Sequence, residues 1–152
     1  MLLVIPARMG STRLPGKMLL KLRGNKSILQ CTYERVLESK HAKEAELVIA
    51  TDSREIADEV ERFGGRYLMT KASHMSGSER AGEVLAQLSS EKPIDMVVNV
   101  QGDEPFLDPR HLDLTIQGLR ENLWAHASTV AVKRTWSNFV CWKWGLKSTF
   151  LK

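Results

Sequence analysis

The chain has 152 residues, of which 43% are hydrophobic and 26% charged, enough for one globular domain with a sizeable core. Its formal charge of +4 is unevenly placed: residues 1–132 carry 17 Lys and Arg against 18 acids, a net of −1, while residues 133–152 hold five basic residues and no acid. No apolar run nears the roughly 20 residues of a membrane-spanning helix, MLLVIPAR reads as a strand and not a signal peptide, and isolated Cys31 and Cys141 offer no disulfide or metal framework, which fits a reducing cytoplasm.

Leu2 to Pro6 is a short apolar run, the pattern of a buried strand. From Ser27 to Lys40 a helical pattern places Ile28, Cys31, Val36 and Leu37 near one face. LVIATD (47–52) is a second buried strand ending in a carboxylate. The helix that follows starts at Ser53 as N-cap, presents Ile56, Val60 and Phe63, and stops at Gly64-Gly65. RYLMT (66–70) is a further strand. The helix of SERAGEVLAQLSS presents Val84, Leu85 and Leu88, and Met69 and Met75 are expected in the core. DMVVNVQGDEP (95–105) is a strand running into an acidic turn, HLDLTIQGLREN (111–122) a helix with Gly118 as a flaw, and ASTVAV (127–132) another strand. Strands separated by helices predict βαβ units and a mostly parallel sheet covered on both faces.

In such sheets ligands bind beyond the carboxyl ends of the strands. That rule gathers RMGSTRLPGK, TDS and QGDEP at one edge. The first loop is not a Walker A loop: five residues separate Gly10 from Gly16, and Met18 stands where a magnesium-binding hydroxyl would follow Lys17. It still brings Arg8, Arg13 and Lys17 together on a glycine-containing turn, a set suited to phosphate because arginine donates two parallel hydrogen bonds and lysine adds a mobile charge. Asp103 and Glu104 follow on a turn set by Gly102 and Pro105; a carboxylate there suits Mg²⁺ shared with phosphate oxygens, or is simply an acidic turn. Ser76 or Ser78 either caps the helix after His74 or reads the edge of a base. Thr51-Asp52 has a similar double reading.

Four segments, IPARMGSTRLPGK, VIATDSREIADEVERFGG, MTKASHMSGSERAGEV and VVNVQGDEPF, together resemble the 3-deoxy-manno-octulosonate cytidylyltransferases, or CMP-Kdo synthetases, over residues 2–132. The first segment also resembles spore-coat polysaccharide cytidylyltransferases and, more loosely, CMP-sialic acid synthetases. SGSER and NVQGDEP favour the Kdo family. The resemblance implies a three-layer α/β/α, Rossmann-like nucleotide-diphospho-sugar transferase fold, usually homodimeric. It implies transfer of CMP from CTP to an acidic sugar, with Mg²⁺, in the cytoplasm, for lipopolysaccharide biosynthesis. By position, Ala7, Arg8, Ser11, Arg13 and Lys17 would lie at CTP, with Arg8, Arg13 and Lys17 on its phosphates. Ser76, Gly77 and Arg80 would lie near base and ribose, Gln101 at the sugar, and Asp103 at the metal; Arg8, Lys17 and Asp103 form the implied catalytic set. Neither nucleic acid nor membrane is an implied partner.

The expected domain covers residues 1–132, the N-terminal part of the family's fold. KRTWSNFVCWKWGLKSTFLK (133–152) departs from the family; it is basic, holds three of the four tryptophans, and resembles a frameshift read-through with early termination or else a divergent ending. No acid follows Glu121, so the family's second metal aspartate has no candidate. A non-catalytic CTP-binding remnant is therefore the alternative to an active enzyme.

Overall fold

A computed structural model describes residues 1–10, 14–22, 24–90, 93–129 and the backbone of 140–143. In chain order it contains β1 (Leu2–Ala7), α1 (Ile28–Leu37), β2 (Glu46–Thr51), α2 (Arg54–Arg62), β3 (Tyr67–Met69), α3 (Gly77–Leu88), β4 (Met96–Asn99), α4 (Pro109–Glu121), β5 (Ala127–Thr129) and β6 (Val140–Lys143). Among the described residues these strands form one sheet in the order β3-β2-β1-β4-β6-β5. β1 pairs in parallel with β2 and β4, and β2 with β3; β6 runs antiparallel between β4 and β5. β6 belongs to the basic segment after residue 132, and the rest of that segment lies outside the described residues.

All six residues of β1 are buried, as expected of a central strand covered on both faces. Alternation sends Leu3, Ile5 and Ala7 into a core with Leu29 and Val36 of α1, Ile56 and Val60 of α2, and Leu112, Ile116 and Leu119 of α4. Leu2 and Val4 point the other way, onto Ala81, Val84, Leu85 and Leu88 of α3. One helix on one face and three on the other make the three layers expected from the sequence.

Local chemistry sets the helix ends. Ser53 accepts from the Ile56 amide at 3.4 Å, and α2 closes in a Schellman motif in which left-handed Gly64 (φ 75°) lets the Gly65 amide reach the Val60 carbonyl at 2.9 Å. α4 begins two residues before the predicted His111, because Asp108 accepts from the Arg110 amide and Pro109 takes the first helical position. Gly118 sits where a Cβ would lie 3.3 Å from the Ser128 hydroxyl, so the helical flaw admits β5. Two expectations fail. α1 buries Leu29, Thr32 and Val36 and leaves Leu37 half exposed, because the faces of β1 and β4 set the helix rotation. Met69 and Met75 are exposed, the latter at 82%, because one ends an edge strand and the other lies in the loop entering α3.

Candidate nucleotide-binding cleft

β1 has β2 on one side and β4 on the other, so the chain changes its winding direction there, and ligand sites of doubly wound sheets open at that point. A cleft of about 540 Å³ lies at this edge. Its walls come from the loop after β1, the start of α3 and the turn after β4. It brings together Ala7, Arg8, Lys17, Ser76, Gly77, Arg80, Gln101 and Asp103 from the sequence reading. Ser11 and Arg13 lie outside the described residues. Pro6, Leu14, Met18, His74 and Met75 also line the cleft; their apolar or unremarkable character carried no sequence signal for a site.

The basic loop is folded back on itself. The Gly16 amide donates to the Met9 carbonyl at 3.3 Å, and Gly16 adopts φ 69°, a left-handed conformation that costs glycine little. This turn delivers Lys17 into the cleft, where Nζ lies 2.6 Å from Asp103 Oδ2; each side chain is about one-third exposed, at 36% and 35%. Arg8 follows β1 directly and is exposed.

The acidic turn is wedged in place. A Cβ on Gly102 would lie 2.9 Å from the Pro6 carbonyl oxygen, a backbone atom that cannot move aside cheaply. On the other side the buried Thr32 hydroxyl lies 3.0 Å from the Gly102 carbonyl. Beside Asp103, burial pushes the Glu104 carboxyl above its ordinary range; the Asp103 charge adds to this and Lys17 partly offsets it.

The third wall is α3. Ser76 accepts from the Glu79 amide at 3.2 Å, so its hydroxyl caps the helix, one of its two predicted readings. Gly77 allows this end to approach β1, since a Cβ there would lie 2.9 Å from Pro6 Cγ. Arg80 is 2% exposed. It donates to the Thr70 hydroxyl, and its Nη2 lies 3.2 Å from Asp52 Oδ2 without the angle of a hydrogen bond. Asp52 thus supplies the counter-charge for a buried guanidinium, a role its place at the end of LVIATD did not disclose. His74 contacts Glu83 through Nε2, while Glu79 accepts the Met75 amide at 2.8 Å. These contacts tie the loop before α3 to the helix.

The sequence pattern described as Cytidylyltransferase matches residues 2–138. The chain belongs to the cytidylyltransferase family. It is 42% identical over 130 residues to the 3-deoxy-manno-octulosonate cytidylyltransferase of Saccharophagus degradans, covering 86% of this chain and 49% of that one. To the enzyme of the same name from Idiomarina loihiensis it is 45% identical, covering 87% and 50%. Its fold superposes on CMP:2-keto-3-deoxy-manno-octonic acid synthetase complexed with CTP, with a TM-score of 0.75, 39% identity, and coverage of 83% of this chain and 49% of the other. A cytidylyltransferase from Leptospira borgpetersenii gives a TM-score of 0.77 at 25% identity, with coverage of 93% and 59%. The chain spans about half the length of the curated relatives it matches.

Among the described residues, the cleft lining offers Asp103 as a carboxylate for a magnesium ion. No group of three ligating side chains exists among the described residues. Asp103 can supply one carboxylate, and Mg²⁺ commonly takes one or two carboxylates with phosphate oxygens and water completing its shell. No helix among the described residues is long and apolar enough to cross a membrane.

Proposed function

We propose that this chain forms the CTP-binding part of an enzyme that transfers CMP from CTP to 3-deoxy-D-manno-octulosonate. A sugar hydroxyl oxygen would bond to the α-phosphorus as the bond from that phosphorus to the bridging oxygen breaks, releasing pyrophosphate and the hydroxyl proton. The observation that carries the reading is the opposition of Lys17 and Asp103 across one cleft at the ends of β1 and β4. Its support is the chain's family membership and its likeness to an enzyme of this name in complex with CTP.

In this reading Lys17 and Arg8 bind the triphosphate and neutralise charge that grows on the leaving pyrophosphate. Ser11 and Arg13 would add contacts to CTP, Arg13 on its phosphates, and Ala7 would border the nucleotide. Ser76, Gly77 and Arg80 form the wall beside base and ribose, and Gln101 faces the sugar. Asp103 would hold Mg²⁺ together with phosphate oxygens; the ion would add charge neutralisation at phosphorus. Lys17 would exchange its present partner for phosphate when the nucleotide enters. The full-length enzyme would act as a cytoplasmic homodimer supplying an activated sugar for lipopolysaccharide, without nucleic-acid or membrane partners.

Two measurements test this in order. CTP with Mg²⁺ should raise the melting temperature of the chain more than ATP with Mg²⁺ does. Pyrophosphate release is then followed with CTP and Kdo, and in parallel with a sialic acid. Selective CTP binding without turnover would leave a nucleotide-binding remnant. Turnover with the sialic acid alone would replace the sugar, and equal stabilisation by ATP would remove the cytidylyl reading altogether.

A further inference from the structure

We infer that Thr32 of α1 is a positioning residue for the cleft carboxylate, acting through the carbonyl of Gly102. The inference rests on the reading that CTP and Mg²⁺ bind this cleft.

Thr32 is fully buried, and its hydroxyl oxygen lies 3.0 Å from the Gly102 carbonyl and 3.1 Å from the Ile28 carbonyl. A hydroxyl has one proton and can serve one acceptor at a time. Back-bonding to the carbonyl four residues earlier is the ordinary behaviour of threonine within a helix. Here the Ile28 carbonyl already faces the Thr32 amide in the helical ladder. The Gly102 carbonyl is different. It belongs to a buried residue in an irregular turn, where an unpaired acceptor is costly and the donor must come from a side chain or water. Thr32 supplies that donor from 70 residues away.

The consequence falls on the next residue. Gly102 is pressed against the Pro6 carbonyl on one side and held by Thr32 on the other, so the peptide leading into Asp103 has little freedom. α1 grips the same loop again farther on, where Arg35 Nε donates to the Leu107 carbonyl at 2.8 Å. Loss of the Thr32 hydroxyl frees the near end of this clamp and lets the Asp103 carboxylate leave the position from which it could share an ion with phosphate.

The test separates positioning from bulk stability. CTP affinity is measured by calorimetry with Mg²⁺ and again in EDTA, for the wild-type chain, Thr32→Val, Thr32→Ser and Asp103→Asn. Groups that orient a metal ligand are commonly worth 10-fold or more in metal affinity. Thr32→Val, which keeps the shape and removes the donor, should therefore lose the Mg²⁺-dependent part of CTP binding by about 10-fold, as Asp103→Asn does. Thr32→Ser should retain it. Should Thr32→Val fail to fold by circular dichroism, Thr32→Ala carries the same comparison. A valine or alanine variant that keeps the wild-type ratio of the two affinities overturns the role of Thr32 and leaves the CTP reading standing, even if its melting temperature falls. A wild-type chain whose CTP binding ignores Mg²⁺ overturns the magnesium part of the proposed function, and the role of Thr32 with it.

Discussion

Lys17 and Asp103 meet at 2.6 Å although 86 residues separate them, joining the loop after β1 to the turn after β4. Both side chains are about one-third exposed, so solvent screens the pair and its net contribution to folding is about 0–1 kcal/mol. Lys17→Ala should therefore leave urea-unfolding stability within about 1 kcal/mol of wild type. The same change should weaken CTP binding by about 10-fold or more, since a hydrogen bond to a charged group contributes about 1.5–3 kcal/mol. Calorimetry and urea titration on one protein preparation distinguish the two effects. Unchanged CTP affinity would remove Lys17 from the phosphate site.

Gly102 meets backbone where a side chain would begin. Its Cβ position lies 2.9 Å from the Pro6 carbonyl oxygen, and Met18 and Ile5 side chains stand at 3.3 Å. Gly102→Ala should cost about 1–3 kcal/mol in urea unfolding, the usual range for overpacking a close-packed site. Gly10→Ala, with nothing within 4 Å of its Cβ position, serves as the comparison and should change stability far less.

Arg80 depends on Asp52. The guanidinium is almost fully buried, with Asp52 as its nearby counter-charge and Thr70 as its hydrogen-bond acceptor. Removing one partner of a buried pair leaves the other charge uncompensated. Asp52→Asn should lower stability by about 3 kcal/mol, while Asp58→Asn, on the exposed face of α2, should stay within about 0.5 kcal/mol. Equal effects of the two changes on the denaturation midpoint would contradict this account.

Glu59 couples α2 to the segment before α1 and should make stability acid-sensitive. Arg62 donates to both its carboxylate oxygens and Lys21 approaches at 2.9 Å, so its pKa falls from 4.5 to about 2, mainly through the Arg62 hydrogen bonds. A carboxyl whose folded pKa is depressed contributes stability that is complete above pH 4.5 and is lost as the pH falls towards 2. With both basic partners substantially exposed, about 1 kcal/mol is expected. Glu59→Gln should lose that amount at neutral pH and flatten the decline between pH 4.5 and 2 in chemical denaturation. A decline identical to wild type would show that Glu59 contributes nothing to it.

Much of this protein is written in local pattern. The continuous burial of β1 follows from LLVIPA, and the limits of α2 follow from Ser53 and Gly64, because a cap or a left-handed turn needs particular residues within a few positions. The cleft edge was legible too, since a strand followed by RMGSTRLPGK and another followed by QGDEP bring unlike charges to the carboxyl end of a parallel sheet. Relations across the chain were not. The rotation of α1, which buries Thr32 and exposes Leu37, is set by packing against strands distant in sequence and not by its own periodicity. The same holds for the Asp52 to Arg80 pair, the reach of Thr32 to Gly102 and the exposure of Met75. Residue types and spacings determine which turns and faces can form; only the closed three-layer packing decides which side chains meet, because each such contact joins segments whose separation no local rule describes.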